Sequence, residues 1–333
     1  AVSAVDPTLD WAMRSTPIPH GLCCVFLLPL SASALRAHAE GWAKTAEHGW
    51  RTSARDLVLM HVPYNFGHTI EKVALVSENT SLTDFSVVFG AAAGSTLGAP
   101  FSVALRDAVR KVAKPNAEIW GHFHPDIQTL NNVTGCGMFF SPQKYWPKEL
   151  AESYFGNKTV FGMLRDPAER LVAMFRGNVK GYGGGFDEYH ERCDVNAGLK
   201  KALKRYAKSS NKFSEDCAFL PQAEYFDGPH GIALPVDNRL FPDSMNKVFE
   251  EHGYSNMHIR GQDVIHVSAC EDVWAADLDQ ETRAMIRKEY ARDYELLCKH
   301  FNYCDPLENT CIAGVKQMCP PRVLEERKLR PPE

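Results

Sequence analysis

Val160-Phe161-Gly162-Met163-Leu164-Arg165-Asp166-Pro167-Ala168-Glu169-Arg170 is the stretch from which the fold can be read. Its first half is a short apolar run, as expected of a parallel strand that is covered on both faces and so need not alternate. Asp166 can cap and Pro167 can open the helix that follows, because an aspartate oxygen accepts a first-turn N–H and proline has none to lose there. Leu171, Val172 and Phe175 then give that helix a buried face.

The same rhythm appears upstream. Leu57-Val58-Leu59-Met60 reads as a buried strand ending at His61, followed by the turn-like Pro63-Tyr64-Asn65-Phe66-Gly67 and a helix with Ile70, Val73, Ala74 and Ser77 on one face. Further strands are predicted at Phe85–Phe89, at Ile119–Phe123 (running into His122-Phe123-His124) and at Val264–Val267. Helices are predicted from Pro100, over the basic stretch Asp194–Ser209, at Pro242–His252, and as one long amphipathic element over Asp279–Phe301, with a glycine-rich loop at Gly181–Gly185. Strands alternating with helices predict an α/β fold with a mostly parallel sheet flanked by helices. The expected layout is an N-terminal extension over 1–54 packing on the core, an α/β domain over 55–301, and a Cys/Pro-rich tail over 302–333. Ligands of such sheets sit at the carboxyl ends of the strands, so the His61 loop, the His122 cluster and Arg165 could share one site.

Composition narrows the partners. The net charge of −4 gives no global positive field to recruit nucleic acid or an anionic membrane, so a site for an anionic cofactor has to be local. The most apolar segment, Leu22–Leu30 continuing to Ala34, is shorter than the ~20 residues that span a bilayer. It resembles a signal-peptide core, with Arg14 ahead and Ala32-Ser33-Ala34 behind, but is read here as a buried element; an upstream targeting or anchor segment stays open. Ten cysteines without a C-x-x-C pair point to disulfides rather than zinc. Cys298, Cys304, Cys311 and Cys319 crowd the C-terminal end, Cys193 and Cys217 could bridge a polar segment, and the adjacent Cys23 and Cys24 read as buried. With sequons at Asn79, Asn132 and Asn157, this usage favours an oxidising lumen.

Two loops carry candidate chemistry. His61 to Glu71 joins a strand to a helix N-terminus, whose free N–H groups and dipole suit phosphate, although most such loops bind nothing. Arg165, ending a buried strand, can hold a phosphate bidentately; the alternative is an Arg165–Asp166 or Arg170–Glu169 surface pair. No G-x-x-x-x-G-K-[ST] signature occurs, which disfavours a nucleoside triphosphatase.

Together the loops resemble the sulfotransferases that use 3′-phosphoadenosine 5′-phosphosulfate (PAPS, leaving PAP as product), in particular the carbohydrate-acting and uronosyl 2-O-sulfotransferases. The first resembles their H-x-P-K-T-G-G-T-S loop and the second their R-D-P-x-x-R-x-x-S motif. Cys217-Ala218-Phe219-Leu220-Pro221-Gln222, His266-Val267-Ser268 and Tyr290-Ala291-Arg292-Asp293-Tyr294 resemble later motifs. The resemblance implies a P-loop-like sulfotransferase fold. It also implies that Arg165 holds the 3′-phosphate and Tyr64, Asn65, Phe66, Gly67, His68 and Thr69 face the 5′-phosphosulfate. A carbohydrate hydroxyl would be the acceptor, in the Golgi or another organelle lumen, with no metal required.

The chain departs from this pattern where it matters. Tyr64 stands where the family has its catalytic lysine, offering one neutral donor to developing charge. Phe66 adds bulk, Ala173 replaces the family serine, and His68 could supply a compensating positive donor. Trp120-Gly121-His122-Phe123-His124 resembles the histidine-bearing segment of uronosyl 2-O-sulfotransferases, which makes His122 the expected general base and His124 second. The alternatives for the pair are a structural role or a His-x-His metal site, for which no third ligand is evident. Glu71 is read as a cap or pair, and the lysines of 194–209 as a glycan surface or, on the simpler reading, a solvated face. Loss of the lysine and the serine also leaves a second class open: a catalytically inactive scaffold serving as a structural subunit or binding module for protein partners.

Overall fold

A parallel three-stranded sheet organises the chain in the computed structural model, which describes residues 56–77, 99–177, 186–265 and 270–304. β1 (Leu57–Leu59), β2 (Thr159–Leu164) and β3 (Leu234–Asp237) lie side by side in that order. Leu57 pairs with Thr159, and Phe161 with Leu234. The apolar runs seen in the sequence become β1 and the central β2, whose residues are buried almost throughout. β3 was not foreseen: Leu234-Pro235-Val236-Asp237 is short and contains a proline, which a sheet accepts at an outer strand.

Nine helices surround this sheet among the described residues: α1 (Gly67–Leu75), α2 (Ala99–Val112), α3 (Lys148–Tyr154), α4 (Pro167–Gly177), the single turn α5 (Asp187–His190), α6 (Val195–Lys208), α7 (Asp243–Glu251), α8 (Gln280–Glu289) and α9 (Ala291–Phe301). α4 starts as predicted: the Asp166 carboxylate accepts from the N–H groups of Ala168 and Glu169. Asp194 likewise caps α6 through the Ala197 N–H. The described residues all fall in the unit Arg51–Glu333.

Two apolar cores divide the interior. One lies on the sheet, with Leu57, Phe161, Trp120 and Tyr254; the other gathers Phe175, Leu199, Ile286 and Tyr290 from α4, α6, α8 and its end. This division decides the disulfides. Cys217 belongs with Cys136 in the first core and Cys193 with Cys270 at the second, so the suggested Cys193–Cys217 bridge does not form. Cys298 pairs with Cys304, and Cys311 and Cys319 lie outside the described residues. The three bridges, and the exposed positions of Asn132 and Asn157, agree with an oxidising, secretory-type environment.

Two other elements differ from expectation. Ile119–Phe123 is not a strand: the chain is extended at Trp120 and then closes into a 3₁₀ turn at Gly121–Phe123, because Gly121 takes φ +49°. The long C-terminal helix is two helices meeting at Tyr290, whose ring is fully buried and whose hydroxyl donates to the Phe219 carbonyl. The expected strand at 264–267 is not formed at Val264 and Ile265. Its remainder, the strand at 85–89, the loop at 181–185, the extension 1–54 with Cys23 and Cys24, Asn79 and the tail beyond 304 lie outside the described residues. No helix among the described residues is long and apolar enough to cross a membrane.

Candidate functional site

The two loops singled out in the sequence meet at the carboxyl ends of adjacent strands. Arg165 leaves β2 buried, and its Nη1 donates to the Tyr64 carbonyl oxygen at 3.0 Å. Its Nε lies 3.6 Å from a Glu169 carboxylate oxygen, and its guanidinium lies over the Phe66 ring, 5.2 Å from the centroid. The Arg165–Asp166 surface pair is therefore not what forms. Nor is Arg170 paired on the surface with Glu169. It is buried and donates to the carbonyls of Pro63, Leu220 and Ala218, sewing the first loop, α4 and the 218–220 segment together. Burial lowers the proton affinity of Arg165, and that of Arg176 to about 10, where the Arg165 charge adds to the effect. Asp166 is pushed up to about 6 by burial, against the pull of its backbone hydrogen bonds.

The first loop is bent by two left-handed residues, Tyr64 at φ 65° and Phe66 at φ 62°. Such conformations are uncommon for aromatic residues and persist only when surroundings fix them. Here they do. The Tyr64 ring lies against Gly177 at the end of α4, and Phe66 stacks on Phe241 with centroids 4.4 Å apart. Asn65 turns inward and is buried, donating to the Met163 carbonyl at 2.8 Å and to Gln222 Oε1 at 2.5 Å. Thr69 is buried, its Oγ1 accepting the Ile265 N–H at 2.9 Å. Gly67 opens α1 without a side-chain cap from Phe66. Of the residues expected to face a phosphosulfate, the backbone of Gly67, His68 and Thr69 remains at a helix N-terminus, whereas Asn65 and the Thr69 hydroxyl are committed to the interior. Ala173 lies partly exposed on α4 and offers a methyl group where a serine would offer a donor.

The later motifs converge on the same junction. Gln222 accepts the Arg165 N–H at 3.0 Å and returns a bond to the Arg165 carbonyl at 2.7 Å. Asp293, on α9, accepts from the backbone N–H groups of Gln222 and Ala223 and from Gln222 Nε2. Gln222 and Asp293 thus position the loops from behind. Both residues lie in the later motifs of the sequence, where no local pattern shows that they touch across 71 positions.

Beside α1 lies a cluster that sequence reasoning assembled only in part. Glu71 is fully buried, with Oε1 2.6 Å from His61 Nδ1, Oε2 3.2 Å from His68 Nδ1, and Oε1 accepting the His122 backbone N–H at 2.9 Å. The His68 ring packs edge-on against those of His61 and His122, with centroids 4.6 Å and 5.0 Å apart. Two glycines make room: a Cβ on Gly67 would fall 2.4 Å from the His61 ring, and one on Gly121 would fall 1.8 Å from Glu71 Oε1. Burial would raise the Glu71 carboxyl, but His61 and the hydrogen bonds from both imidazoles hold it well below the usual carboxylate range. Burial also lowers His68, and takes His122 down to about 3, so the rings of both stay neutral at physiological pH. His124 is separate from this group: its ring packs on Tyr154, its Nδ1 accepts the Asp126 N–H, and burial lowers it to about 4. His122 and His124 therefore face different neighbours and do not form a joint site. Glu71, read in the sequence as a cap or pair, is a pair, but its partners His61 and His68 are not foreseen there, and the sequence gives His61 no role of its own. The signal that could have found Glu71 is its i, i+3 spacing from His68, which puts both on one helix face.

The basic face of α6 is largely neutralised by the chain itself. Lys200 bonds Asp279 and Glu281, Lys201 bonds Glu188, Lys204 approaches Glu281, and Arg205 pairs with Glu215.

No family model, curated protein or solved structure matches the chain.

Proposed function

We propose that this chain is a sulfotransferase-type protein of the secretory lumen, the Golgi in particular, that moves a sulfuryl group from PAPS to a carbohydrate hydroxyl. The observation that carries this reading is the contact between the two loops: Arg165 at the end of β2 donates directly to the Tyr64 carbonyl, immediately ahead of the uncapped N-terminus of α1. A guanidinium next to the positive end of a helix dipole favours an anion in a chain whose net charge is negative, with the buried Glu169 carboxylate, 3.6 Å from Arg165 Nε, competing for the same charge.

The residues fit a bisphosphate nucleotide in part. Arg165 would hold the 3′-phosphate and the Gly67, His68 and Thr69 amides the 5′ group, with the bound cofactor supplying an activated sulfuryl group. Tyr64 offers one neutral hydroxyl where charge develops, which stabilises transfer less than an ammonium. His122, neutral in its buried setting, is in the form that can accept the acceptor's proton, although its low proton affinity makes it a weak base.

A second reading is favoured by a separate observation. Asn65 is tied to Met163 and Gln222, and Phe66 is held between Arg165 and Phe241, so the side chains of this loop are engaged by the protein itself rather than offered to a phosphosulfate. On that reading the fold is an inactive scaffold that binds a protein partner. Calorimetric titration with PAP separates the two. Micromolar binding lost in Arg165→Ala supports the transferase, and labelled sulfate transfer to a glycan panel then follows. Absence of binding at millimolar PAP rejects it and leaves the scaffold.

A further inference from the structure

We propose that His61, His68 and Glu71 form a binding site for one divalent transition-metal ion of the zinc class. Two imidazoles and a carboxylate are the donor set that such ions select, and three protein ligands leave one position open. The three ligand atoms lie within 4.8 Å of one another, supplied by the loop that leaves β1 and by one face of α1.

Three features indicate a built site. Gly67 and Gly121 each lack the side chain that would collide with His61 or Glu71, so the backbone is contoured around the ligands. The carboxylate is oriented from outside by the His122 N–H, and Gly121 in turn donates to the Tyr154 hydroxyl at 2.7 Å. Outer hydrogen bonds of this kind orient ligating carboxylates. Charge supplies the third feature. Glu71 is fully buried, and the cation-forming groups within ion-pair distance of it among the described residues are the two imidazoles. A buried carboxylate is retained when it is paired or coordinates a metal, and a divalent ion between these groups would neutralise it. His61 and Glu71 are 2% and 0% exposed and His68 is 18% exposed, so the ion would enter past His68. The alternative is that the hydrogen bonds to His61, His68 and the His122 N–H alone satisfy Glu71.

The test uses the full chain, dialysed against a chelator and titrated with zinc, with cobalt(II) absorption reporting the geometry. One equivalent of zinc should bind, with a rise in thermal midpoint and a tetrahedral or five-coordinate cobalt spectrum. His68→Ala and Glu71→Gln should each weaken binding by about 100-fold or more, since even outer-sphere losses cost ~10–100-fold. His300→Ala, at an exposed histidine elsewhere, should leave it unchanged. Should Glu71→Gln not fold, His68→Ala alone decides, because His68 is the most exposed ligand. No zinc binding at micromolar free ion, or binding that is equal in wild type and His68→Ala, overturns the site. These readouts are of metal, so they stand apart from the PAP titration.

Discussion

Gly121 shows how much a single residue carries. Its φ of +49° disfavours any side chain, and a Cβ would fall 1.8 Å from Glu71 Oε1. Gly121→Ala should therefore cost about 3 kcal/mol or more, as left-handed strain and overpacking each contribute ~1–3 kcal/mol. Urea unfolding checks this, and Gly135→Ala is a useful comparison: it shares the positive φ but has nothing near its missing Cβ, so it should cost less. Asp166 gives a pH-dependent prediction. Its carboxyl is pushed up to about 6 by burial, above the ~3.9 of an unfolded chain. The folded state thus holds the extra proton between those values. The stability this group contributes is complete below about pH 4 and is lost as pH rises through about 6. Asp166→Asn keeps a capping oxygen and removes the titration. Its stability relative to wild type should rise between pH 4 and 6.5, by up to about 3 kcal/mol, and then level off. A flat difference across that range would show that Asp166 is not held protonated.

At the scale of elements, α9 locks the strand ends through Asp293. Asp293→Ala would strip partners from the N–H groups of Gln222 and Ala223 and from Gln222 Nε2, all of them at buried or part-buried positions. Each buried orphan costs ~1–3 kcal/mol, so the loss should be about 3–5 kcal/mol and should exceed that of Asp293→Asn in a denaturant melt. The Cys136–Cys217 bridge closes a loop of sequence separation 81 inside the sheet core. Replacing both cysteines by alanine should lower stability by about 2–4 kcal/mol, read as a fall in the urea midpoint. Reducing agent added to wild type should move the midpoint the same way. The break at Tyr290 belongs to this scale too. The Asp279–Phe301 periodicity is continuous, yet Tyr290 bonding Phe219 and Asp293 bonding Gln222 pull the chain into two helices.

For the whole molecule, the two cores are joined where chemistry is expected. Arg170 reaches from α4 to Pro63, Leu220 and Ala218, and Gln222 bonds Arg165, Asn65 and Asp293. These bonds hold the two strand-end loops rigid against each other, whether or not a nucleotide is bound. What the sequence by itself determined was local. The apolar runs of β1 and β2, the Asp166-Pro167 helix start and the amphipathic faces of α1, α4 and α6 follow from burial and capping, which depend on near neighbours. That the His61 loop and Arg165 fall at strand ends was legible for the same reason; that Arg165 donates to the Tyr64 carbonyl, 101 positions away, was not. Only the tertiary structure decided that Cys193 and Cys217 belong to different cores, that Leu234–Asp237 pairs as an outer strand, and that Asn65 points inward. It also gathered Glu71 with three histidines, one of them 51 positions away along the chain. Those outcomes depend on which distant groups compete for the same buried space, and no local pattern of residues encodes that.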